Sequence, residues 1–391
     1  MNRALRRIGA LALSLVMCFA LIPAAGAIEA SGADGVTAAV IDVNLIMDNG
    51  VSVPKTTFAF ELTTGAVAAP AFPLFNGSLS GVKIGKADDM REATTYALAF
   101  AQTIVTPGLP GGAAPTAGSQ YATEQLIVDF SGVTFKEPGV YRYKLTETAP
   151  AAPFSLYAEE KGVRYIDVYV EYATDDAADL TIQGIIVLTG NADVNTDDQT
   201  GGTPNVTAGQ KSGQINNAYA THSLELEKQV AGNQASPNRH FTFEVTVTNP
   251  TTAGVTYPAT YAVTKTCQDR DVTNPETVTA GAPATFRLKA GEKIVIRNLP
   301  TGATYTVVET PEDYIATATV NGADCQDADA DDGTFTVKAE KGMTADTRVV
   351  YTNTRNGLIP TGVLLTVVPF AALMVIGLVG VLVILRKRHN K

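Results

Sequence analysis

The chain has 391 residues, with 39 acidic and 29 basic side chains and a formal net charge of −10. Taking away the three arginines near the N-terminus and the four basic residues near the C-terminus leaves −17 between Ile28 and Thr361. Such an acidic middle argues against nucleic acid as a partner and favours a self-repelling ectodomain. The three histidines (His222, His240 and His389) and three cysteines leave little for a Ser-His-Asp triad or a zinc centre. No metal or cofactor is expected.

In chain order, the first element is an address. Arg3, Arg6 and Arg7 precede an apolar stretch from Ile8 to Leu21, and Ala25-Gly26-Ala27 supplies small residues for cleavage. Residues 1–27 read as a secretory signal peptide. Cys18 follows Val16-Met17, a poor lipobox, so no lipid anchor is expected.

The stretch that follows, roughly 330 residues, is long enough for two ordinary domains. Thr, Val, Ala, Gly and aromatic residues recur in short alternating runs, with no sustained 3.6-residue apolar period. This predicts an all-β chain. Two segments share one layout, 28–220 and 221–357. Each opens on a strand, Ala39 to Met47 or Leu224 to Gly232, and continues to a Phe-x-Phe strand, Phe58-Ala59-Phe60 or Phe241-Thr242-Phe243. Each later has a strand ending in Glu147 or Glu309, and closes on a strand with Asn217 or Asn353. Tandem β-sandwiches are the expected architecture. Thr106 to Gln120 and Gly190 to Gly213 read as loops between strands. Cys267 and Cys325 are either a disulfide or two free, half-buried thiols, since separation in sequence says nothing about the distance between them. Asp327 to Gly333 resembles a calcium loop, but its Gly is displaced and Lys338 stands at the twelfth position, so a solvated hairpin tip is expected.

Successive residues of a strand face opposite sides. Lys228 therefore shares a face with Leu224 and Leu226, Glu309 with Tyr305 and Val307, and Asn353 with Val349 and Tyr351. A Lys, a Glu and an Asn are thus predicted in core-facing rows, where ions are expensive. Burial lowers a lysine pKa and raises that of a glutamate. A neutral Lys228 amine could attack the Asn353 carboxamide while a protonated Glu309 polarises it and shuttles protons. The product is an isopeptide bond between the first and last strands. In the first unit Glu147 and Asn217 keep the core phase, but Val43, fifteen residues before Phe58, sits between Ile41 and Leu45 as plain core. No Lys–Asn bond is expected there, and Glu147 and Asn217 are expected to remain a buried hydrogen-bonded pair. Lys55 is the one nearby alternative amine.

The chain closes on Leu358-Ile359-Pro360-Thr361-Gly362, an uncharged stretch at 363–385, and a basic tail at 386–391. About 20 apolar residues suffice to cross a bilayer, and the basic tail would stay cytoplasmic. The Pro-Thr-Gly segment resembles a sortase sorting signal of Gram-positive bacteria, although the usual form is Leu-Pro-x-Thr-Gly. The alternative is a simple tail-anchored protein.

The order of Lys on the first strand, Phe-x-Phe, Tyr-x-Val-x-Glu and a final Asn before the sorting signal resembles the isopeptide-linkage domains of Gram-positive pilins. That resemblance implies two CnaB-like, Ig-like sandwiches, with Lys228 and Asn353 as the bonded pair and Glu309 as the catalytic carboxyl. It also implies sortase cleavage between Thr361 and Gly362 and joining to peptidoglycan or another pilin at the cell surface. The usual donor lysine of a shaft subunit is missing from Tyr257-Pro258-Ala259, and Lys211 is a weak substitute. An accessory pilin or wall-anchored stalk is therefore expected, with a host-binding adhesin or a backbone pilin as alternatives. An exported hydrolase would need a convergent constellation that is not apparent, so the protein is not expected to be an enzyme.

Overall fold

The computed structural model describes residues 36–65, 74–112, 118–158, 160–173, 179–190, 211–266, 274–329, 333–357, 373–383 and 385–387. Among them the chain is built of strands arranged in two sandwiches, each with its own apolar core. The tandem all-β expectation holds. The alternation read from sequence is visible in Thr56–Thr64, where Phe58, Phe60 and Leu62 are buried while Thr57, Ala59 and Glu61 face solvent.

In the first sandwich, the opening strand Ala38–Asp48 lies between Gln214–Tyr219, which runs parallel to it, and Ser119–Asp129, which runs antiparallel. The facing sheet takes the order Leu180–Leu188, Val163–Tyr172, Gly139–Glu147, Thr56–Thr64, Thr95–Phe100. The second sandwich repeats the plan. Thr221–Ala231 pairs in parallel with the closing strand Thr347–Thr354 and antiparallel with Lys293–Pro300. Opposite lies a sheet of Ala284–Leu288, Phe241–Thr248, Thr304–Thr310 and Phe335–Ala339. In both units the first and last strands are neighbours, so one bond between them would close the whole sandwich.

Ala220 alone separates the closing strand of the first sandwich from the opening strand of the second. The junction is reinforced by a two-bond backbone bridge: Lys55 N donates to Thr256 O at 3.0 Å and Thr256 N to Lys55 O at 2.8 Å. Val255 and Tyr257 pack against the first core.

Three polar residues on outward faces are nonetheless buried. Arg142 and Asp167, at 2% and 1% exposure, form a two-pronged ion pair with both contacts at 2.7 Å. Asn44, at 1%, donates to Asn216 Oδ1 at 2.9 Å and accepts from the Thr123 hydroxyl at 2.7 Å. Buried polar groups find partners.

The expected signal peptide (1–27), sorting signal (358–362, with Pro360, Thr361 and Gly362) and Cys267 lie outside the described residues. Of the expected span at 363–385, residues 373–383 and 385 are described and helical. No helix among the described residues is long and apolar enough to cross a membrane. At the ends of the expected Thr106–Gln120 loop, Thr106–Pro107 pairs with Ser119–Asp129, and residues 113–117 lie outside the described residues. In the acidic loop, the Asp327 carboxylate accepts from the backbone N–H groups of Asp329 and Thr336 at 3.0 and 2.9 Å. Among the described residues no cluster of three His, Cys, Asp or Glu side chains could hold a metal.

Candidate cross-linking site

The site is set by register. In the parallel pair, Lys228 lies opposite Tyr351 and Val230 opposite Asn353. Lys228 and Asn353 are therefore diagonal neighbours on the inward face, a spacing that a long side chain can bridge. The backbone of Lys228 is held on its other side, its N–H donating to Glu292 O at 3.0 Å and its carbonyl accepting from Gly291 N at 2.8 Å. Glu309 arrives from the facing sheet, where it pairs with Phe243.

All three side chains are fully buried, at 0% exposure each. They converge on one atom. Lys228 Nζ lies 2.7 Å from Glu309 Oε1, an ion-pair distance without the alignment of a directed hydrogen bond. Asn353 Nδ2 donates to the same oxygen at 3.0 Å. Glu309 Oε2 and Asn353 Oδ1 have no hydrogen-bond partner.

Aromatic rings wall the site. Lys228 Nζ is 4.5 Å from the centroid of the Phe241 ring and 5.8 Å from that of Phe243. Phe243 also packs edge-on against Tyr351 at 5.3 Å. The Tyr351 hydroxyl crosses the core to donate to Val307 O at 2.7 Å, pinning the closing strand to the facing sheet. The chemical part these rings play, excluding water from an amine and an acid, is not stated by the Phe-x-Phe pattern alone.

Desolvation dominates the electrostatics. It lowers the Lys228 pKa to about 8, against the opposing attraction of Glu309. It raises that of Glu309, against the pull of Lys228 and the Asn353 amide. Moving one proton from the ammonium to the carboxylate leaves both partners neutral, the state that a dry site favours.

In the first sandwich, Asn217 Nδ2 donates to Glu147 Oε1 at 2.8 Å, and both side chains are buried. Val43 is core at 0% exposure. Glu147 lies opposite Phe60 and Glu309 opposite Phe243. The connections leaving the two opening strands therefore differ in length, and strand register rather than a count to Phe58 matches Val43 to Lys228. Lys55 is exposed, and its backbone is engaged by Thr256. Cys325 is half-buried, with its thiol 3.4 Å from Gln326 O.

Both related sequences and solved structures resemble this chain. Residues 222–355 match a family described as a domain of unknown function, DUF7601. A protein named Pilin from Streptococcus pyogenes serotype M1 is 27% identical over 277 residues, 68% of this chain and 73% of the relative. The Streptococcus pyogenes pilus tip adhesin Cpa is 30% identical over 145 residues, 36% of this chain and 18% of Cpa. Among solved structures, the major pilin of Streptococcus pyogenes matches with a TM-score of 0.56 at 19% identity, covering 82% of this chain and 99% of the pilin. The T3.2 major pilin of the same species matches at 0.51 and 21% identity, covering 81% and 98%. The chain is homologous to the streptococcal Pilin and to the pilus adhesin Cpa, and its fold is that of the major pilin.

Proposed function

We propose that this chain is a pilus-type surface protein of a Gram-positive bacterium, an accessory pilin or wall-anchored stalk, whose second sandwich locks itself with a Lys228–Asn353 isopeptide bond. The observation that carries the reading is the convergence of a buried amine and a buried carboxamide on one oxygen of Glu309. Neutral Lys228 Nζ attacks Asn353 Cγ. A new C–N bond forms, the Cγ–Nδ2 bond breaks, and the proton lost by Nζ passes through the Glu309 carboxyl to Nδ2, which leaves as ammonia. The acid is regenerated, and the reaction occurs once per molecule, so the product is a reinforced strut rather than a turnover catalyst. Peptide mapping should find Lys228 and Asn353 in one branched peptide. Separate, unmodified peptides would end the proposal.

Two features support a stalk or accessory role over a shaft subunit. No lysine follows Tyr257-Pro258, and Tyr257 is packed against the first core at the junction between the sandwiches. Sortase is the partner implied by Pro360, Thr361 and Gly362, with Thr361 joined to peptidoglycan or another pilin. Muramidase treatment of cell walls should release the protein as a single band. A high-mass ladder surviving boiling in detergent would instead make it a backbone subunit, with Lys211 the first residue to substitute. Similarity to a tip adhesin supports a second reading, in which the chain also contacts a host protein or glycan. Binding to host cells that persists in the purified ectodomain would favour it.

A further inference from the structure

The first sandwich holds the cross-linking arrangement with one part missing. Its opening and closing strands pair in parallel with Val43 opposite Ile215, and the carboxamide of Asn217 comes two residues later. The second sandwich has Lys228 opposite Tyr351 and Asn353 two residues later. On the facing sheets, Glu147 and Glu309 each lie opposite the second phenylalanine of Phe-x-Phe. The acid–amide hydrogen bond is 2.8 Å in one and 3.0 Å in the other, with the same donor and acceptor atoms.

The resemblance extends to atoms that have no partner and to the surrounding rings. Glu147 Oε2 and Asn217 Oδ1 are buried without partners, as are Glu309 Oε2 and Asn353 Oδ1. Phe58 meets Phe154 edge-on at 5.9 Å, and Phe241 meets Tyr314 edge-on at 5.1 Å. Ile215 occupies the place of the larger Tyr351.

We infer that the first sandwich retains a latent cross-linking site, in which Glu147 is a competent catalytic carboxyl, Asn217 is the acceptor, and the side chain at position 43 alone keeps the reaction from occurring. The acid and amide keep the register and the atoms of the second site, and the backbone is built closely around Glu147: Gly162, at φ +64°, brings its backbone carbonyl to the Glu147 N–H at 2.7 Å, and a Cβ there would sit 3.3 Å from Glu147 Cβ. The other charged groups acting on the carboxyl are Glu160 and Arg164, which are paired with each other at 2.8 Å. An amine introduced at position 43 would follow the same balanced course. Its nitrogen bonds to Asn217 Cγ, the Cγ–Nδ2 bond breaks, and its proton passes through Glu147 to the departing ammonia.

The inference rests on the reading of the second sandwich, and the test separates the two. The ectodomain, Val43→Lys, and Val43→Lys with Glu147→Gln are compared by intact mass. The expected losses relative to sequence are one, two and one ammonia. A parent with no loss would overturn the second-sandwich reading and this inference with it. A parent losing one ammonia and a folded Val43→Lys variant also losing one would overturn the latent site alone. Because a buried lysine can impair folding, Val43→Lys with Ile215→Val provides a roomier partner variant. If neither variant yields soluble protein lacking two ammonias, the inference is wrong. A Val43→Lys ectodomain that still loses two ammonias when Glu147 is Gln would refute the role given to that carboxyl.

Discussion

Glu309→Gln is expected to leave the ectodomain one ammonia heavier than its parent, and far easier to unfold. Gln can occupy the same space and accept from Asn353, but it cannot carry a proton from the amine to the leaving nitrogen. The Lys228–Asn353 bond closes a loop of about 125 residues, worth roughly 5 kcal/mol by analogy with disulfide loop closure. In a domain of this size that is on the order of 15 °C in Tm. The variant also strands Lys228 in an apolar site without its counter-charge, adding about 3–5 kcal/mol if the amine stays protonated.

A second variant separates these contributions. Lys228→Met removes the bond with little change in volume and without leaving a buried amine, so it should lose only the loop-closure part. Glu309→Gln should therefore be the less stable of the two, and increasingly so as pH falls from about 10.5 toward the folded-state pKa of Lys228, which burial lowers to about 8 and which loses the upward pull of Glu309 in the variant. That sign follows from the lowered pKa: the folded state binds fewer protons than the unfolded state above it, so stability rises with pH in that range. Intact mass with thermal unfolding at two pH values reads both effects. A Glu309→Gln protein with the parent's mass would show that the carboxyl is not needed.

The inward phase of Lys228, Glu309 and Asn353 was legible because each lies on a strand whose two-residue alternation is regular on both sides of it. The same rule placed Glu147, Asn217 and Val43 in the first core. Alternation failed where something distant covers an outward face. Arg142 falls between Tyr141 and Tyr143 and so should meet water, yet it is paired with Asp167 from the neighbouring strand and is sealed in. Asn44, between Val43 and Leu45, is likewise closed off by Asn216, 172 positions away, and by Thr123. Nor does alternation give strand neighbours. The parallel pairing of each first strand with its last, on which both sites depend, arises from packing between segments more than a hundred residues apart. The junction bridge between Lys55 and Thr256 has the same origin: each residue reads as ordinary loop or strand edge, and only their approach gives them a role.

The first sandwich should lose stability as pH rises from about 4.5 to about 7. Burial is the largest influence on Glu147 and lifts its pKa to about 7, with Glu160 adding to the rise and Asn217 and Arg164 opposing it. The folded state then holds a proton that the unfolded chain has released, so stability falls across that window and is level above it. The full effect is about 3 kcal/mol. A protonated carboxyl has an O–H to offer the partnerless Asn217 Oδ1, closing a two-bond acid–amide ring; the carboxylate has none. Other groups titrate in the same range, so the measurement is a difference. The ectodomain and Glu147→Gln are equilibrated in urea at pH 5 and pH 8, then pulse-labelled with deuterium at one common pH. Peptides covering Gly139–Glu147 and Gln214–Tyr219 report the first sandwich, and peptides covering Thr304–Thr310 serve as an internal reference. The first sandwich's unfolding free energy, taken from its urea midpoint, should drop between pH 5 and pH 8 in the parent, and by about 2–3 kcal/mol less in the variant. Equal drops would mean that Glu147 is ionised in the folded protein, and that the acid in this sandwich is held as a charge rather than as a proton donor.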